Sequence, residues 1–192
     1  MYKRQRFSGA SDHLVSEALY LDDPEGNGIE LYRDRPRSDW RWAGSEVQMD
    51  TLALDLDGLL GELDGATTAD AGMPAGTRLG HVHVQVGSLA QADAFWHAAV
   101  GFAVTASTYP GALFMGAGGY HHHLGLNVWA GAGAPPPPAG ALGIRHFEVV
   151  LADGAERDRL VARLAASGHA AEETADGLVV RDASGTTAIL RG

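Results

Sequence analysis

Cysteine is absent from this chain. Its absence excludes a disulfide framework, a thiolate metal site and a cysteine nucleophile, and it agrees with a reducing compartment. Lysine is nearly absent too: none follows Lys3, and 14 basic side chains stand against 24 acidic ones, a formal charge of −10. A surface that tracks a phosphate backbone needs the opposite balance, so nucleic acid is not an expected partner. No apolar run approaches the roughly 18 residues of a membrane helix, and the basic start from Met1 to Arg6 has no apolar stretch behind it. The expectation is a cytoplasmic protein with no membrane partner. GxSxG, HExxH and Walker patterns are also missing, which removes the commonest serine-hydrolase, zincin and phosphate-loop chemistries. What is there is ordinary globular composition, 45% hydrophobic and 20% charged over 192 residues, enough for one full domain and part of another.

Met1 to Gln5 back-translate to GTG TAT AAG AGA CAG, a string similar to a transposon sequencing adapter, and are set aside as a scar. On that reading residues 1–34 are the remnant of an N-terminal half that begins further upstream. Within them, Ala18-Leu19-Tyr20-Leu21, the turn Asp23-Pro24-Glu25-Gly26-Asn27-Gly28 and Ile29-Glu30-Leu31-Tyr32 predict a β-hairpin. A lone hairpin is marginal in water, and its open edge makes a homodimer one expected outcome. Residues 35–78 read as a connector carrying one short helix among Leu52, Leu54, Leu56, Leu59, Leu60 and Leu63.

From Leu79 the pattern sharpens. Val82, Val84 and Val86 alternate with His81, His83 and Gln85, which predicts a strand with one apolar and one polar face. Ser88 and Gln91 form a capping pattern, and Leu89, Ala92, Phe95, Trp96 and Ala99 give a helical core stripe that stops at Gly101. Strands are expected at 102–107, 112–117 and 120–129, completing a βαβββ module over 79–133. After four prolines at 135–138 the order repeats over 142–192: a strand at 144–151, a helix at 155–167, and strands near 170–174, 178–182 and 186–190. His146 falls 146 − 81 = 65 residues after His81, at the same place in its module. The predicted fold class is therefore α+β, with paired βαβββ modules forming a cupped sheet.

Alternation puts His81, His83 and Gln85 on one sheet face, with His121, His123, Gly125 and Asn127, and with His146 and Glu148 of the second module; His122 points the other way by parity. His81, His146 and one of His121 or His123 make a candidate three-nitrogen metal site. The plain alternative is a hydrogen-bonded polar cup holding no metal. His97 and His169 read as solvated surface residues.

The tandem modules, the first-strand histidines and the closing run DPEGNGIELY resemble the vicinal oxygen chelate superfamily, which includes glyoxalases, bleomycin-resistance proteins and extradiol dioxygenases. The segments SDHLVSEALYLDDPEGNGIELYRDRP, LGHVHVQVGSLAQADAFWHAAVGF and GGYHHHLGLNVW are most similar to its bacterial catechol-2,3-dioxygenase branch. This resemblance implies a glyoxalase-like cup and the C-terminal portion of an iron-dependent extradiol ring-cleaving enzyme, with Fe(II), a catecholic substrate and dioxygen as partners. It implies Glu30 as the metal carboxylate, Tyr20 as the acid–base phenol and His13 as a second-sphere imidazole. Both histidine ligands of that site would lie upstream of Ser8, so this chain is expected to be inactive alone, because a 2-His-1-carboxylate centre needs all three donors. Ile189 and Gly125 stand where the resemblance expects the carboxylate in the two later modules, and Val179 stands where it expects the phenol. Two other functions fit the family. One is a non-catalytic binding module whose cup is lined by His83, Asn127 and Glu148 with Trp129 and Tyr120 nearby. The other is a glyoxalase-type isomerase using another divalent metal, which the missing carboxylates weaken.

Overall fold

The computed structural model describes residues 6–63 and 72–192, divided into two compact units between Gly80 and His81. The scar read at Met1 to Gln5 lies outside the described residues. The first unit is built on an antiparallel sheet of β1 (Arg6–Asp12), β2 (Ser16–Asp22) and β3 (Gly28–Asp34) in that order. The hairpin expected from alternation is β2–β3. β1 is an addition: Ser8, Gly9, Ala10 and Ser11 carry no apolar alternation, and the strand is defined by its pairing with β2 rather than by propensity. The connector holds more than one helix. A 3₁₀ turn at Arg37–Asp39 and the two-residue strands β4 (Trp42–Ala43) and β5 (Glu46–Val47) precede α1 (Leu56–Gly61). Asp55 caps α1 by accepting from Gly58 N.

The second unit contains two copies of one topology. β6 (Val82–Gln85) leads into α2 (Leu89–Ala92), which runs on as π-helix through Asp93–Val100, and then into β7 (Ala103–Ala106), β8 (Ala112–Gly116) and β9 (Leu124–Asn127). β10 (Phe147–Val150), α3 (Gly154–Ala166), β11 (Ala171–Thr174), β12 (Gly177–Arg181) and β13 (Thr187–Arg191) follow the same plan. The strand orders are β6-β9-β8-β7 and β10-β13-β12-β11, and in both sheets the first strand is parallel to the fourth. Val82, Val84 and Val149 pack against the buried cluster that holds Phe95, Trp96, Phe147, Leu160 and Leu164, while His83, Gln85 and Glu148 on the opposite face are exposed. Period-2 alternation thus separates a helix-covered face from a solvent-facing one.

One core serves both modules. The Trp96 ring lies 5.6 Å from Phe147, and its indole N–H donates to Asp182 across the module boundary at 2.9 Å. Arg163 of α3 donates to the carbonyls of Val100 at 2.8 Å and Ala99 at 3.3 Å, and so caps the π-helix of the other module. The same guanidinium and Arg159 hold the Glu156 carboxyl below its ordinary range through hydrogen bonds. Gly101 ends that helix at φ 105°, and a Cβ there would lie 2.5 Å from the Arg163 guanidinium. Gly101→Ala is expected to cost about 1–2 kcal/mol, from the left-handed backbone and the displaced cap. Urea denaturation of the chain checks it, and an unchanged midpoint would refute it.

Several sequence expectations are corrected here. The strand expected over 120–129 begins only at Leu124, so His121, His122 and His123 lie in a loop, where strand parity no longer dictates direction. The strand expected over 144–151 is Phe147–Val150, and His146 immediately precedes it. His97 is exposed as expected, although its Nδ1 sits 2.6 Å from the Phe102 carbonyl, whereas the His169 ring is half-buried and packs edge-on against Phe95. Phe95 and Trp96 are core residues as the helical stripe predicts.

Candidate functional site

The most organised polar group is on the first sheet. β2 and β3 pair with Tyr20 opposite Glu30, so both side chains leave the same face from adjacent strands. His13 lies in the tight connection between β1 and β2. Its backbone N–H donates to Ser16 O, and Leu14 turns the chain at φ 68° while the Leu14 backbone N–H bonds Asp12 Oδ1. That turn brings His13 Nε2 to 2.5 Å from the Tyr20 hydroxyl, and Glu30 Oε1 lies 3.4 Å from the same hydroxyl and 3.9 Å from Nε2. The other ring nitrogen, Nδ1, is 2.7 Å from the Asp50 carbonyl. The three residues named from the sequence therefore converge on one phenol, with His13 and Glu30 each about one-fifth exposed. An imidazole and a carboxylate on either side of a phenol can take up, hold and return a proton at its oxygen.

The turn that carries this site is repeated in the second unit. Glu30 follows Asp23 by 30 − 23 = 7 residues, Ile189 follows Asp182 by 189 − 182 = 7, and Val179 pairs with Ile189 as Tyr20 pairs with Glu30. Asp23 Oδ1 accepts from Glu25 N and Asn27 N, and Asp182 Oδ1 from Ser184 N and Thr186 N. The Asn27 side-chain amide joins in and lowers the Asp23 pKa below the usual carboxylate range. In the β6–β9 module, the middle one when the β1–β3 sheet is counted first, Phe114 pairs with Gly125. Phenol and carboxylate are thus replaced by valine and isoleucine in one later module, and by phenylalanine and glycine in the other.

The face of the middle module is lined by rings. The His83 ring lies across Gly125, where a Cβ would come within 3.1 Å, and it packs near Phe114 and Trp129. His81 and His122 are 4.4 Å apart between centroids, His122 also contacts Phe114, and the Nδ1 atoms of His121 and His122 are 2.8 Å apart. Contrary to parity, His122 meets His81. His123 accepts from Ala117 N, and the rings of His121 and His123 both lie against Tyr120. Asn127 Oδ1 accepts from Trp129 N, and Glu148 is ion-paired with Arg191. Among the described residues no three His, Asp or Glu side chains gather into a metal-holding group. Sequence reasoning missed His122, Phe114 and the Asp50 carbonyl. The run of three histidines after Gly118-Gly119 was the one available signal, since a glycine pair marks a loop.

Paired βαβββ modules with this strand order and a shared core define an α+β cupped-sheet protein. The family model for the Glyoxalase/Bleomycin resistance protein/Dioxygenase superfamily matches residues 78–186, more than half of the chain, and the chain belongs to that superfamily. It is 46% identical over 177 residues to a catechol-2,3-dioxygenase of Bacillus subtilis (strain 168), a match covering 91% of this chain and 61% of the relative. The chain thus spans about 61% of the length of that curated relative. Among solved structures it is similar to a lactoylglutathione lyase from Agrobacterium tumefaciens, at 22% identity and TM-score 0.44 over 62% of this chain and 94% of that one. It is also similar to a glyoxalase/bleomycin resistance protein/dioxygenase from Alicyclobacillus acidocaldarius, at 16% identity and TM-score 0.44 over 59% of this chain and 89% of that one.

Whether these residues suit an iron centre is decided by the donors present. Glu30 places a carboxylate at the Tyr20 hydroxyl, and the imidazole beside it is engaged at both nitrogens, by Asp50 and Tyr20. A facial triad asks for two available imidazoles and a carboxylate. The described residues do not meet that requirement.

Proposed function

We propose that the chain carries the carboxylate-and-phenol portion of an extradiol ring-cleaving dioxygenase site acting on a small catecholic substrate. The observation that supports this most is the convergence of His13 and Glu30 on the Tyr20 hydroxyl, at 2.5 and 3.4 Å. Bound iron(II) would supply a common centre for catecholate and dioxygen. Glu30 would be its anionic ligand in this reading. His13 and Tyr20 form a proton relay: the phenol lends or takes a proton at the substrate side, and the imidazole restores it.

Two expected results test this. The chain alone, given ferrous iron and catechol in air, should form no yellow ring-fission product above an iron blank. Robust turnover would overturn the donor-count argument. Joined to the part of the Bacillus subtilis relative that it does not match, the chain should cleave catechol and lose that activity on Glu30→Gln. A chimera that folds, loads iron and leaves catechol intact would sink the ring-cleavage reading.

A second reading, that the middle module binds a planar ligand without chemistry, is favoured by the rings of His83, Phe114 and Trp129 on a face whose register carries no carboxylate. Catechol should then quench Trp129 fluorescence saturably with no metal added, and His83→Ala should weaken the quench. An unsaturable response identical in both proteins would dismiss this reading.

A further inference from the structure

His13 is held from two sides by groups of different character. Tyr20 offers a hydroxyl, which can donate or accept, whereas Asp50 offers a backbone carbonyl, which only accepts. That carbonyl belongs to a short clamped segment. Asp12 N donates to Leu52 O at 3.0 Å and Leu52 N returns a bond to Asp12 O at 2.9 Å, an isolated bridge just before His13. Thr51 N bonds Asp50 Oδ1 at 2.7 Å, which fixes the local turn. Residues 50–52 come from the connector and lie in none of the strands β1–β3, yet they meet the chain where β1 hands over to the active-site turn.

We propose that Asp50–Leu52 is a positioning strap that holds the proton of neutral His13 on Nδ1, and so leaves Nε2 to accept from the Tyr20 hydroxyl. The tautomer of an imidazole is chosen by what its far nitrogen meets. With Nδ1–H donating to the Asp50 carbonyl, Nε2 presents a lone pair, and the phenol proton bridges the short contact. Without the strap the Nε2–H form is open to the ring. It would donate to the Tyr20 oxygen and so reverse the short contact. The strap therefore sets the direction of the His13–Tyr20 contact. Asp50 acts through His13, as a positioning residue. The inference rests on the ring-cleavage reading for its purpose, while its test reads the imidazole itself.

The full chain, labelled with ¹⁵N-histidine, is studied at a pH where imidazole is neutral, and the His13 signals are assigned by their loss in His13→Gln. Expected is a pyrrole-type Nδ1 and a pyridine-type Nε2. Leu52→Pro deletes the N–H that closes the bridge, at a side chain that is 45% exposed, and should move His13 to a mixture of tautomers or to Nε2–H. If that variant does not fold, a glycine inserted between Thr51 and Leu52 slides the carbonyl and serves the same end. An Nε2–H tautomer in the unaltered chain, or an Nδ1–H tautomer surviving a folded strap variant, overturns the proposal. Chimeras that keep the Nδ1–H tautomer but never cleave catechol would instead remove the functional reading and leave the strap intact.

Discussion

Tyr20→Phe is expected to lower the turnover of the iron-loaded chimera by about 10²- to 10⁴-fold, the usual worth of a positioned acid–base group. The substitution keeps the ring, the strand register and the packing, and it deletes only the oxygen that His13 and Glu30 share. Iron content should be unchanged, because Glu30 and its strand are untouched. His13→Gln should give a smaller loss, since it leaves the phenol in place and removes the group that recharges it. The measurement is turnover with catechol in air, normalised to iron. A Tyr20→Phe chimera within a few-fold of the parent would show that the phenol is a packing residue and that the proton moves elsewhere.

Asp182→Leu is expected to destabilise the second unit by about 3 kcal/mol, the cost of leaving a buried donor and two turn N–H groups unpaired. Asp182 is 7% exposed and Trp96 is fully buried, and one carboxylate serves the Trp96 indole, Ser184 N and Thr186 N. Asp182→Asn should be milder, because its carbonyl oxygen can still accept from the turn while its amide faces the indole N–H. Asp23 supplies an internal control. It makes the same turn bonds to Glu25 N and Asn27 N at the surface of the first unit, so Asp23→Ala should cost clearly less than Asp182→Leu. Chemical denaturation followed by tryptophan fluorescence gives each value. Equal costs at the two positions would mean that the indole bond adds nothing.

The modules were legible in the sequence because each element obeys a local rule. Val82, Val84 and Val86 alternate, Ser88 and Asp153 cap, and Gly101 and Gly168 terminate. The convergence of His13, Tyr20 and Glu30 was legible through resemblance to a known motif and not through periodicity, since His13 occupies a turn. What escaped was set by tertiary pairing. β1 has no apolar pattern of its own and exists through β2. His122 faces His81 because a loop, unlike a strand, does not alternate. The Asp50 carbonyl carries no side-chain signature at all, although it holds one nitrogen of the key imidazole.

The repeated Asp turn also shows how far each copy has moved from the others. In the last module, Val179 and Ile189 still face each other across β12 and β13 at the spacing that Tyr20 and Glu30 use. A phenol and a carboxylate could be written back there with two codons. In the middle module the His83 ring lies about 3.1 Å from where a Cβ at Gly125 would stand, so a side chain there would have to displace that ring. One module keeps the register with two apolar side chains, while in the other a neighbouring ring already lies over the position.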